Sequence, residues 1–188
     1  MHYIKLPACL LFVFLLIISA CSDDEPGAVQ VVSDDLEGSI AWQFVNAAPA
    51  THAGVVVNSV SASSSHSLQT TSSEAKSSGF SFWRLDVTPS NIPVGKPLEL
   101  TVKVKVTNVT GDGVFMALRG DGASSSSSIF FESTQGFQTI DGTADFTTYT
   151  VNLDSYPEGV KHIYIFLIMH ASSTGSVNFD DISLVSQQ

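Results

Sequence analysis

Positive charge and cysteine are what this chain has least of, and each scarcity excludes a class of explanation. Eight Lys and Arg stand against 18 Asp and Glu, a formal net charge of -10 at pH 7. The basic footprint that nucleic-acid binding requires is missing, so no nucleic-acid partner is expected, and an acidic ligand is disfavoured. The two cysteines, Cys9 and Cys21, both belong to an N-terminal apolar run. No disulfide is expected, which leaves core packing or a bound ion to hold the fold. Beyond that run there is no helical period of useful length. Signatures of catalysis are missing too: there is no Gly-x-Ser-x-Gly elbow, no phosphate-cradling loop, no His-x-x-x-His pair and no Glu-x-Asp-x-x-Glu run. The chain is expected not to be an enzyme.

What is present begins with an export signal. Lys5, an apolar stretch from Leu6 to Ile18 and the small residues Ser19 and Ala20 have the order of a secretory signal peptide, and the stretch is too short to cross a bilayer of ~30 Å comfortably. Residues 1–20 are therefore read as a signal that is removed. The tetrapeptide Ile18, Ser19, Ala20, Cys21 resembles a bacterial lipobox, in which the cysteine thiol is acylated before cleavage. That resemblance implies lipidation of Cys21 and a membrane contact through the lipid. Residues 21–33 read as an acidic tether, because Ser22, Asp23, Asp24, Glu25 and Pro26 cannot pack. The run also resembles the acidic tag that sends bacterial lipoproteins to the outer face of the outer membrane, which implies a lipid-anchored protein at the cell surface.

From residue 34 to 188 the chain reads as one all-β domain. Leu98, Leu100, Val102, Val104 and Val106 alternate with Glu99, Thr101, Lys103, Lys105 and Thr107, a period of two with one face in a core and one in water. Tyr149, Val151 and Leu153 repeat the pattern, and shorter strands are expected near 39–46, 54–60, 66–71, 79–87, 113–119, 128–133 and 177–185. Turn signals separate them, among them Gly111 to Gly113, Gly120 to Gly122 and Pro157 to Gly159. Many short strands at this spacing predict an antiparallel β-sandwich, or jelly roll.

Lys161 to His170 departs from simple alternation. Ile163, Ile165, Leu167 and Met169 share one face, while His162, Tyr164, Phe166, Ile168 and His170 share the other. A central strand covered on both sides would read this way, and so would a strand that lines a ligand groove with rings. On the second reading Tyr164 and Phe166 stack on sugar rings. His162, Arg84, Arg119 and Glu132 then supply hydrogen bonds to hydroxyls. Arg119, Gly120 and Asp121 spell an adhesion tripeptide, a match too short to carry an argument.

The closing stretch Gly175, Ser176, Val177, Asn178, Phe179, Asp180, Asp181, Ile182, Ser183, Leu184 resembles the last strand of galactose-binding-like jelly rolls, in particular carbohydrate-binding modules of the family 4, 9 and 22 type. Other landmarks follow in order: Asp35, Leu36, Glu37, Gly38 with Trp42, then Ser65 to Leu68, Val94 to Pro97, and Phe146 to Val151. The resemblance implies non-catalytic binding of a polysaccharide or oligosaccharide. It also implies one structural calcium ion, held by Glu37 and by Asp180 or Asp181. Because the same fold also serves structural roles, the competing expectation is a structural or adhesion module that docks a protein partner.

Overall fold

The computed structural model describes residues 27–38, 41–47, 52–63, 65–124 and 128–187. The signal peptide, Cys21 and the acidic run after it lie outside the described residues. The order of strands is β1 (Val29–Asp34), β2 (Gln43–Asn46), β3 (Ala53–Val57), β4 (Ser67–Ser72), β5 (Phe80–Val87), β6 (Leu98–Asp121), β7 (Ser128–Ser133), β8 (Ile140–Leu153), β9 (His162–His170) and β10 (Thr174–Ser186). Every pairing is antiparallel, and no helix forms among the described residues.

The two layers of the sandwich share one strand. The first half of β6 pairs with β10 and β8, and β10 continues to β4, β3 and β1; the second half pairs with β9 and β7, and β9 continues to β5 and β2. The predicted strands at 98–107 and 113–119 are thus one strand, bent where it leaves one layer for the other. The bend requires left-handed backbone, with Asn108 at φ 52°, Gly111 at 79° and Gly113 at 77°. Glycine supplies that conformation at little cost. At Gly111 a side chain is also excluded by space, because a Cβ there would lie 2.3 Å from the carbonyl oxygen of Ser172.

Between the layers lies the core. Leu98, Leu100, Val102, Val104 and Val106 face Ile163, Ile165, Leu167 and Met169, and none of these nine is more than 2% exposed. Phe179, Ile182 and Leu184 of β10 and Trp83 and Leu85 of β5 complete the same cluster. Burying each such side chain contributes about 1.5–3 kcal/mol, which fits a fold held by packing.

One expected boundary is corrected. The acidic tether was placed at 21–33, but β1 occupies 29–34 and pairs with β10 from Val29↔Ser186 to Asp34↔Ile182. Val31 and Val32 pack on the core, so the folded domain begins before residue 34.

Candidate functional site

The outer face of the layer β2-β5-β9-β6-β7 carries the residues singled out on β9. In an antiparallel pair, residues directly opposite share a face, so the register sets them in rows. One row runs Gln43, Arg84, Phe166, Ala117; the next runs Val45, Phe82, Ile168, Phe115; a third runs Asp86, Tyr164, Arg119, Phe131. Since Ile163, Ile165, Leu167 and Met169 point into the core, the alternate residues of β9 point out. They are not covered by a second layer. Ile168, Phe115 and Ala117 form a separate buried cluster with Phe82 and Phe166 packed against it, while His162 is exposed and Tyr164, Phe166 and His170 are half-buried. The expectation that this strand lines a groove is the one the geometry favours.

Three adjoining hollows make up the groove. The central one, about 540 Å³, is walled by Phe80, Phe82, Phe115, Phe131, Phe166 and Ile168. A smaller one of about 200 Å³ lies over Tyr164 and Asp121 and shares Arg84, Arg119 and Phe166 with the first. A third, about 460 Å³, extends past Phe115 to Asp112, Gln138, Thr139 and His170. The rings form a nearly continuous ladder: His162 to Tyr164 at 6.1 Å between centroids, Tyr164 to Phe166 at 6.0 Å, Phe166 to Phe82 at 5.3 Å and Phe82 to Phe80 at 5.8 Å.

Charges flank this ladder. Arg84 lies over the Tyr164 ring, 5.7 Å from its centroid, and its Nη2 donates to Gln43 Oε1 at 2.8 Å. Arg119 Nε donates to Asp121 Oδ1 at 2.7 Å, and that carboxylate is buried. The adhesion tripeptide is therefore strand, its aspartate turned into its own arginine. At the ladder's start His162 Nδ1 is 3.5 Å from Asp86 Oδ1, and at its far end His170 Nδ1 is 3.2 Å from Asp112 Oδ2.

Of the expected ligand-binding residues, Tyr164, Phe166, His162, Arg84 and Arg119 come together, and Glu132 does not. Glu132 pairs with Leu118, a core residue, whereas its neighbour Phe131 pairs with Arg119. Period-two geometry then puts Glu132 on the face opposite Arg119. The rings that sequence reasoning missed are Phe80, Phe82, Phe115 and Phe131. A signal for two of them was present, since Phe80 and Phe82 share the parity of Arg84.

The three residues expected to hold calcium meet around one loop, though not as a metal cage. Glu37 accepts from Ser65 N at 2.5 Å and from Ser65 Oγ. These bonds lower its pKa to about 2. Asp180, fully buried, accepts from Ala62 N at 2.6 Å and from Asp181 N at 2.7 Å. Asp181 accepts from Ser63 Oγ and pairs with Lys103 Nζ at 2.7 Å. Two neighbouring aspartates reach the same loop because β10 bulges here and Asp181 is left-handed, with φ 45°. Their oxygens accept from N–H, O–H and ammonium donors, an arrangement of hydrogen bonds and one ion pair. Among the described residues no group of three or more His, Cys, Asp and Glu could hold a metal ion.

No protein-family model matches the chain, and no curated protein matches it. Solved structures do share its fold. A carbohydrate-binding module of the β-sandwich superfamily superposes with a TM-score of 0.60 at 15% identity, over 77% of this chain and 56% of the other. The CBM22-1 xylan-binding domain of Paenibacillus barcinonensis Xyn10C gives 0.55 at 12% identity, over 86% and 96%. A cyclase from Fischerella sp. TAU gives 0.59 at 16%, over 85% and 98%. The chain is thus an all-β sandwich of the kind found in carbohydrate-binding modules, an architecture that an enzyme also uses.

Proposed function

We propose that this protein is a non-catalytic glycan-binding module displayed at the bacterial cell surface on a lipid attached to Cys21. The observation that carries this reading is the open groove on the outer face of the β9 layer, floored by Tyr164 and Phe166 and edged by Arg84 and Arg119. Sugar rings present CH faces for stacking and hydroxyls for planar hydrogen-bonding side chains, and both kinds of partner lie here within one strand's length. The fold likeness to carbohydrate-binding modules supports it. A polysaccharide or oligosaccharide is the ligand class, and the groove's length suits a chain better than a single sugar. A glycan array probed with the Cys21→Ser protein tests the reading. Binding to neutral glycans is expected, and an array without hits would favour a protein-docking role instead.

Anchoring is tested separately. An acyl chain contributes about 0.8 kcal/mol per buried CH2. Among the described residues no helix is long and apolar enough to cross a membrane. Cys21→Ser is expected to move the protein from the membrane fraction to the soluble fraction. Sedimentation with membranes that resists salt would overturn the assignment.

A further inference from the structure

The groove changes character along its length, and its middle is the part least suited to bare sugar. Toward Tyr164 it offers Arg84, Arg119 and Asp121, and toward His170 it offers Asp112, Gln138 and Thr139. Between them the wall is carbon: rings from four strands, Ile168, and on the β2 side Val45 and Ala47. Besides the two arginines at its boundary, Gln135 is the one polar side chain lining this central hollow among the described residues. A pyranose carries hydroxyls all round its rim, and one seated here would find few side-chain partners for them, gaining little beyond stacking. A planar aromatic group carries far fewer polar atoms than a sugar and gains ring contacts, for which Phe82 and Phe166, edge-to-face at an interplanar angle of 76°, already set the geometry.

We propose that the central hollow receives an aryl group carried on the glycan, such as an ester-linked hydroxycinnamoyl substituent, with sugar units lying toward the two polar ends. This rests on the glycan-binding reading and narrows it to substituted chains. The hollow's volume of about 540 Å³ is within the range of small-molecule sites.

Three probes test the idea on the Cys21→Ser protein: a feruloylated arabinoxylan oligosaccharide, the same oligosaccharide after alkaline de-esterification, and methyl ferulate alone. Methyl ferulate is expected to shift the NMR signals of Phe82, Phe115 and Ile168. The ester is expected to tighten oligosaccharide binding at least tenfold, and Phe82→Ala to remove most of that gain. If methyl ferulate leaves those signals unmoved, or the ester adds no affinity, the aryl subsite is overturned, and array hits on unsubstituted glycans would leave the broader reading standing. Methyl ferulate binding with no glycan hit on the array overturns both, leaving a pocket for a free aromatic compound.

Discussion

Replacing both Tyr164 and Phe166 by alanine is expected to weaken glycan binding about 100-fold while leaving the protein folded. The two rings are 6.0 Å apart and tilted by 34°, neighbours on one strand face over which a sugar chain can lie. An aromatic contact beyond simple burial is worth ~0.5–1.5 kcal/mol, and the apolar area lost with each ring brings the sum to about 3 kcal/mol, or roughly two decades in Kd. Because the rings touch, the double loss need not equal the sum of the single ones, so both single variants belong in the titration. Neither ring is part of the inter-layer cluster, and circular dichroism should show a native fold. Glu132→Ala is the control: on the opposite face, it is expected to change affinity by less than a factor of about two. Unchanged affinity in the double variant would place the site elsewhere.

The largest effect on stability is expected at Asp180. Its carboxylate, wholly buried, accepts from Ala62 N and Asp181 N, and alanine would leave both amides without this acceptor. Hydrogen bonds to a charged group are worth ~1.5–3 kcal/mol each, so a loss of about 3 kcal/mol is expected, which lowers Tm by ~6–12 °C in a domain of this size. Asp181→Ala should cost less, since its partner Lys103 is partly exposed, with 39% of its side chain accessible. Thermal melts with and without EDTA should coincide, because protein donors already occupy these oxygens. A Tm that falls with EDTA and returns with calcium would show that an ion displaces Lys103 and the amides after all.

Much of the fold was legible because its longest strands repeat cleanly. The first half of β6 alternates Leu and Val with Glu, Thr and Lys, and β9 alternates core aliphatics with rings, so both strands and their faces could be read from parity alone. The β1 strand was not legible. Six residues beside an acidic run contain three valines but no clean alternation, and only pairing with β10 gives them a place. At β6 the glycines at 111 and 113 looked like a turn between two strands. Their left-handed backbone instead carries one chain from layer to layer, a property of the register that no local pattern encodes.

The candidate site was legible only in part, for a related reason. The two-faced pattern of β9 put Tyr164, Phe166 and His162 on one face but left open whether a second layer covers them. Placing Arg84 and Arg119 beside them needed the order of strands, and parity happened to favour both. Glu132 failed because β7 presents two adjacent aromatics, Phe130 and Phe131, so either parity looked apolar. The structure buries Phe130 against Gly120 and turns Phe131 outward. Phe115 was hidden because its strand carries large apolar residues on both faces, and which face was core depended on the partner layer.

The most direct test of the central claim is to locate a bound oligosaccharide on the protein by NMR titration, using the glycan selected by the array. The account predicts that the largest shifts fall on outward residues of β9 and its neighbours, with Tyr164, Phe166, Arg84 and Arg119 foremost. Shifts confined to the outer face of the other layer, or to the loop at Ala62 to Ser65, would contradict it.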